Sequence, residues 1–270
     1  MPTALVLTAH GDDMEFFAGG TIAKLCARGW DIHLVISTDN ARGTFELSAE
    51  AMFGLRMKEA EAAGKVLGLK SVVCLDYGDG YLGDVPQTEL RRHFLAHIRK
   101  HRPEIVFTFD PWAPFEGHPD HRAVGWAAHE AASFSGFPLY EPQQLVDGAT
   151  PWYVPQQYYF AKSPRDTNRV VDIAGDPIRR KVEALYCFDS QMVLTLREAQ
   201  LGIETAPYDI PEITGLDPHD YHGFIDQRVR RTAAAIGRRY DLEYAEHFRR
   251  TRWGGSESLA PVGSIPEDDW

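Results

Sequence analysis

Two short stretches gather side chains that bind metal and move protons. Residues 4–21 read ALVLTAHGDDMEFFAGGT, an apolar run that opens into His10, Asp12, Asp13 and Glu15 before a helix begins. Residues 118–121 read His-Pro-Asp-His, which places His118 and His121 on one face of a helix start with Asp120 between them. Imidazole nitrogens with a carboxylate form the donor set of a zinc site, and a further carboxylate beside it can take a proton from water. An aspartate after a strand can also do no more than cap the next helix. One aspartate would satisfy that need, whereas two adjacent ones just after a histidine exceed it. His118 and His121 by themselves fit capping and packing equally well. Set beside His10 and Asp13 at the end of another strand, they point to metal, although spacing leaves open which of the two is the ligand.

These groups need elements that bring them together. Leu5, Val6 and Leu7 read as a strand buried in the middle of a parallel sheet, whose carboxyl end faces the ligand crevice of an open α/β fold. Further strands are predicted over 31–38, 71–76 and 104–109, alternating with helices over 16–28, 48–67, 88–101 and from about 118 to 134. That alternation is the doubly wound pattern: a Rossmann-like α/β fold with a mostly parallel sheet and helices on both faces. The pair Gly19-Gly20 predicts a close approach of the first helix to the sheet, and Gly29 its stop. The same glycines make no phosphate loop, because GxGxxG is absent and no lysine stands beside Gly20-Thr21. Arg56 and Glu59 are spaced as an i,i+3 pair, which spacing alone assigns to a solvated helix face. Residues 77–80 either line the crevice or simply turn the chain.

Beyond residue 136 the pattern thins. Residues 137–155 read as a Pro-rich loop, 157–161 and 170–173 as short strands of a hairpin or sheet extension, and 177–186 as a helix. Asp217 to His222 is a third acidic and histidine-containing cluster, read as the cap of a helix over 221–240 because no apolar strand delivers it to a crevice. From Gly254 onward the chain is Gly, Ser, Pro and acid. The expected organisation is one α/β domain over 1–253 and a mobile tail over 254–270.

The chain has 270 residues and is 44% hydrophobic, enough to bury the core of one α/β domain. Its 28 Lys and Arg against 39 Asp and Glu give a net charge of −11, which repels phosphate backbones and argues against a nucleic-acid partner. Cys26, Cys74 and Cys187 are far apart and odd in number, which predicts free thiols in a reducing compartment. The start, Met1-Pro2-Thr3, leads directly into a strand, and no apolar run reaches membrane-spanning length. A cytoplasmic protein without membrane association is the expectation.

Taken together, AHGDDMEFFAGGTIAKL and GHPDHRAVGWAA resemble the PIG-L/LmbE family of metal-dependent N-acetylglucosaminyl deacetylases. Within that family, DPWAPFEGHPDHR is most similar to the branch containing the archaeal diacetylchitobiose deacetylases. The resemblance implies metal ligands at His10, Asp13 and His121, a general base at Asp12, and a free second histidine at His118 that stabilises the oxyanion or protonates the leaving amine. It further implies Asp120 as a group that orients a histidine and raises a substrate or structural role for Arg56. It implies a Zn2+ cofactor, an N-acetylated amino sugar as substrate, and a homo-oligomer, a hexamer in that branch. Two departures stand out: Gly11 and Met14 occupy positions where the family usually has Pro and Glu. Glu116 stands where some members have a carbonyl-binding Tyr. Trp112 and Glu116, on the loop leading to His118, are expected to contact the sugar, with Trp112 offering an apolar face to a pyranose ring.

Zinc held by two histidines and one carboxylate leaves room for water and a substrate carbonyl, and lowers the water pKa from about 15.7 to about 7. The same ligands would serve a non-haem iron oxygenase, which gives Asp12 no task. A doubly wound domain that binds sugar without turnover is the alternative from another class.

Overall fold

The computed structural model describes residues 1–146, 149–162, 167–206, 209–252 and 255–256. Strand β1 (Thr3–Thr8) leads into helix α1 (Asp13–Ala27), and β2 (Asp31–Thr38) into α2 (Ala49–Leu67). Strand β3 (Ser71–Tyr77), α3 (Gln87–His101), β4 (Ile105–Phe109) and α4 (Pro119–Phe134) complete the first half. Then come β5 (Gln156–Phe160), β6 (Arg169–Asp172), α5 (Asp176–Tyr186), α6 (Asp189–Glu204), the single turn α7 (Pro211–Thr214), α8 (His222–Gly237), β7 (Ala245–Arg252) and β8 (Gly255–Ser256).

The strands form one sheet in the order β3-β2-β1-β4-β5-β7-β6, with β8 on β7. β1 pairs in parallel with β2 and β4, and β4 in parallel with β5, while β7 runs antiparallel to β5 and β6. The doubly wound α/β fold expected from the alternation is therefore present. Crossovers from β1 to β3 travel one way along the sheet and those from β3 to β5 travel back. Right-handedness then places α1 and α2 on one face and α3 and α4 on the other. The reversal falls between β1 and β4, where the loops after those strands diverge and leave a crevice.

Local chemistry sets the helix ends. Ser48 caps α2 by accepting the Ala51 amide, and Gly68 ends it at φ 92°, a left-handed conformation that costs glycine nothing. α1 begins at Asp13, three residues before the predicted start. The glycine pair in α1 meets a different neighbour from the one expected: a Cβ at Gly20 would lie 2.8 Å from Ile173, just past β6, and one at Gly19 would lie 3.1 Å from Lys181 of α5. The close approach is thus to α5 and its leading loop. A buried charge cluster seals it. Glu246 of β7 accepts the Gly20 and Thr21 amides at 3.0 and 2.7 Å, the Thr21 hydroxyl at 2.6 Å and Lys181 Nζ at 2.6 Å.

Several sequence-based assignments need correction. Of the two readings of 157–161 and 170–173, β5 and β6 extend the sheet and do not form a hairpin, because β7 lies between them. β7 and α6 were not foreseen; β7 carries Glu246, Arg249 and Arg250, so no apolar run announces it. Arg56 and Glu59 are both buried, not solvated. Asp217 accepts the His219 amide within its own turn and gives α8 no side-chain cap. At the expected tail, Gly255–Ser256 pair with β7, while residues 257–270 lie outside the described residues. Cys26, Cys74 and Cys187 are free thiols. No helix among the described residues is long and apolar enough to cross a membrane.

A row of histidines joins α3 to β2. The His33 and His101 rings lie 3.9 Å apart, and His97 stacks parallel to His101 at 5.9 Å. His33 Nδ1 is 2.7 Å from Ser71 Oγ. Burial, then the positive charge of Lys100 and neighbouring rings, pushes His97 down to about 4; burial, His33 and His97 push His101 to about 4 as well. An unfolded histidine protonates near pH 6.5. Between pH 6.5 and 4 the unfolded chain therefore binds protons that the folded chain refuses, and stability is lost as pH falls through that window. The melting temperature is expected to fall more steeply across this window in the parent protein than in a His97→Gln/His101→Gln variant. Equal slopes would show that other groups carry the acid sensitivity.

Candidate active site

Five strand ends supply the site. β1 delivers His10, Asp12 and Asp13; the loop after β2 delivers Asn40; the loop after β3 delivers Asp79; the loop after β4 and the start of α4 deliver Glu116, His118, Asp120 and His121; and Lys162 follows β5. The first turn here is tied by Asp13, whose Oδ2 accepts the His10 backbone amide at 2.6 Å. Gly11 donates its amide to Asn40 Oδ1 at 2.7 Å, and Asn40, at φ 56°, returns its own amide to Thr38 O. A proline at position 11 could not make that bond, and even a Cβ there would meet Phe188 at 3.0 Å. The departure at Gly11 is therefore matched by a specific partner. Met14 is fully buried core.

The two clusters read from the sequence are brought together. Asp13 Oδ2 lies 3.5 Å from His10 Nδ1, and Asp13 Oδ1 lies 3.3 Å from His121 Nε2. His10 Nε2 faces Asp79 Oδ1 at 3.2 Å and Asp120 Oδ2 at 3.3 Å. Asp120, fully buried, also accepts the Gly80 and Leu82 amides at 2.7 and 3.0 Å. Nitrogens of His10, His118 and His121 lie within 4.8 Å of one another, and a second such group joins His10, Asp79, His118 and Asp120. Half-buried imidazoles beside carboxylates form a donor set that fits zinc or a similar divalent metal.

Electrostatics separates the two adjacent aspartates. Burial acts to raise the Asp13 pKa, but His121 and His10 outweigh it and hold the carboxyl far below the usual range. Asp12 is pushed up by burial and then by the charge of Asp13, against the pull of Arg56 and His10. Asp12 occupies the N-cap position of α1 and yet makes no side-chain capping bond, so its carboxylate is not used to terminate the helix. Glu15, the fourth ionisable group of this stretch, is different. It is fully buried with both oxygens unpartnered among the described residues, and burial raises its carboxyl well above the usual range. It belongs to the core.

Arg56 reaches toward the site from α2, bonding Gly43 O at 3.0 Å and Gln191 Oε1 of α6, with Glu59 at 3.8 Å. Trp112 and Glu116, expected to contact the sugar, both lie on the loop between β4 and α4. The Trp112 ring, 47% exposed, meets Trp126, His129 and Tyr159 edge-on and lies under Arg249, alongside the later turns of α4. The Glu116 carboxylate is turned inward and held down to about 2: against burial act His121, Lys162 and the His118 amide. Asp79 and Asn40 were missed. Their one sequence signal is position, directly after the carboxyl end of a predicted parallel strand. His219 of the third cluster pairs with Glu46 at 3.2 Å and lines a separate cavity of about 380 Å³ with Phe45, Leu55 and Leu194.

The family model for GlcNAc-PI de-N-acetylase, PIG-L, matches residues 5–132. A diacetylchitobiose deacetylase of Thermococcus kodakarensis is 37% identical over 191 residues, 69% of each chain. The chain belongs to the PIG-L family. Its likeness extends to a 1D-myo-inositol 2-acetamido-2-deoxy-alpha-D-glucopyranoside deacetylase of Rhodococcus erythropolis, 30% identical over 57% of this chain and 59% of that one. Among solved structures, N,N'-diacetylchitobiose deacetylase from Pyrococcus horikoshii, complexed with its inhibitor MPG, superposes with a TM-score of 0.74 at 30% identity. That superposition covers 93% of this chain and 84% of the other. These PIG-L relatives are N-acetylglucosamine-type deacetylases.

Asn40→Ala leaves the Gly11 amide without its partner, at an expected cost of about 1–3 kcal/mol. A thermal melt with no loss of stability would show that Asn40 does not hold the His10–Asp13 loop.

Proposed function

We propose that this protein hydrolyses the N-acetyl group of an N-acetylglucosamine-type sugar, releasing the free amine and acetate, with Zn2+ held by His10, Asp13 and His121. The observation that carries the reading is Asp12: a buried carboxylate, unused as a cap, next to Asp13 and within reach of the charge of His10.

The hydrogen-bond partners support a division of labour among the histidines. His10 Nε2 faces Asp79 and Asp120, so its proton sits there and Nδ1, on the Asp13 side, is left as the ligand atom. His118 caps α4 by accepting the Asp120 amide on Nδ1 at 3.3 Å. A neutral His118 making that bond carries its proton on Nε2, which makes it a donor. Burial, then the charges of His10 and His121, lowers its pKa and favours that neutral form. His121 presents Nε2 toward Asp13.

Zinc in this site supplies a Lewis acid that polarises the amide carbonyl and brings the pKa of water to about 7. Asp12 takes the proton as the water oxygen attacks the carbonyl carbon. His118 donates its Nε2 proton in a hydrogen bond to the oxyanion that develops. The C–N bond then breaks, the amine nitrogen receives a proton from Asp12, and acetate leaves. Arg56, with its charge near Asp12 and Asp79, pulls the Asp12 pKa down against burial and the charge of Asp13, which favours the ionised form that accepts a proton.

His10→Ala and His121→Ala are expected to lose bound zinc together with activity; full zinc occupancy in purified His121→Ala would move the ligand assignment to His118. Asp12→Asn preserves shape and the three ligands. It is expected to retain zinc and to bind substrate comparably, while turning over at least about a hundredfold more slowly, the lower end of general-base effects. Undiminished turnover in zinc-loaded Asp12→Asn would remove Asp12 from the mechanism. A panel of N-acetylated sugars scored for acetate release tests the reaction class. Iron content with oxygen consumption and no acetate would overturn it.

A further inference from the structure

We infer that Glu116 and Lys162 act as a positioning pair that fixes the ring orientation of His121, so that its Nε2 is the atom offered to the metal. This rests on the reading of His121 as a ligand and adds the two residues that make it one.

Two stacking contacts limit the tilt of the His121 ring. It lies on Phe109 at 4.1 Å and 11°, and on His118 at 4.5 Å and 19°. Stacking does not distinguish the two edges of an imidazole, because a half-turn about the bond to Cβ exchanges them while leaving both stacks intact. Something must choose the edge. Glu116 Oε2 lies 3.3 Å from His121 Nδ1, and Asp13 Oδ1 lies 3.3 Å from Nε2 on the other side. A proton on Nδ1 donated to Glu116 leaves the Nε2 lone pair free, which is the arrangement a ligand needs.

Glu116 is itself held in place. Its Oε1 accepts the His118 amide at 3.0 Å, and Oε2 is paired with Lys162, whose Nζ is also 3.4 Å from His121 Nδ1. Phe115, immediately before, has φ 61°, a strained value for a bulky residue, and its side chain points fully into solvent. The backbone there is bent so that position 116, not 115, faces inward. Lys162 follows β5 and also lies over the Phe17 ring at 5.5 Å. It pairs with the same carboxylate oxygen that faces His121 Nδ1, and its charge neutralises Glu116 and keeps the carboxylate out of the donor set. A glutamate serving a sugar hydroxyl would present a free oxygen to the crevice, whereas both oxygens here are occupied.

The test is zinc affinity, measured by competition with a chromophoric chelator, alongside kcat and KM at saturating zinc for the parent protein, Glu116→Ala, Glu116→Gln and Lys162→Met. The pair predicts that Glu116→Ala weakens zinc binding about 10–100-fold, the usual effect of removing a ligand's partner, with KM for the sugar little changed. Glu116→Gln should recover most of the affinity, because its amide oxygen accepts the same N–H. Lys162→Met should fall between the two. Zinc affinity within twofold of the parent in Glu116→Ala, with a raised KM, would overturn the inference and return Glu116 to the sugar. Equal zinc loss in Glu116→Ala and Glu116→Gln would also overturn it. If Glu116→Ala does not fold, Glu116→Gln and Lys162→Met still decide, since zinc affinity unchanged in Lys162→Met removes the lysine from the pair. Failure of the parent protein to bind zinc, or retention of zinc by His121→Ala, strikes the ligand reading instead.

Discussion

A carboxylate buried at the end of a central strand must be paired, and the site grows from that requirement at Asp13. Removing an ionised group from water without compensation is prohibitive, so it either neutralises or acquires partners. Asp13 acquires three: the His10 amide, the His10 ring and the His121 ring. The histidines are then oriented by further carboxylates, Asp79 and Asp120 for His10, and Glu116 for His121. Without a metal, protons on the imidazoles balance these acids, and the raised pKa values of His10 and His121 express that balance. A divalent cation would take over the same task.

The sheet order makes these pairings possible. β1 lies between β2 and β4, and the direction of winding reverses there, so the loops after β1 and β4 open away from each other and then meet over the crevice. The first helix carries Asp13 in its opening turn, and α4 brings Asp120 and His121 in its own. The remote face of the molecule contributes stiffness. Glu246 and Lys181 bind α1 to β7 and α5, which fixes the helix from whose first turn Asp13 projects.

The same geometry accounts for two departures from the family pattern. Gly11 supplies an amide that Asn40 accepts, so the missing proline is replaced by a hydrogen bond across the β1 and β2 loops. Glu116, standing where some members have a tyrosine, is directed at a histidine and a lysine inside the protein. Arg56 is likewise fastened inside the protein, between the β2 loop and α6.

What the sequence determined by itself was everything carried by local pattern: the apolar strands of the first half, their alternation with helices, the glycine stops, and the pairs His10/Asp13 and His118/His121. These are legible because a buried parallel strand is apolar throughout and a helix start has characteristic chemistry. Tertiary structure decided the rest. β7 was invisible because its charged residues are compensated by partners far away, Glu246 by Lys181 and Thr21, and Arg249 by Asp110. Arg56 and Glu59 looked like a solvated pair until α6 packed over them, with Ser190 bonding Glu59 at 3.0 and 2.7 Å. The inward turn of Glu116, the partners of Asp79 and the carboxylate that each histidine edge faces all depend on residues from other strand ends. Whether a charged side chain is buried depends on what meets it in space, and that information is spread across the whole chain.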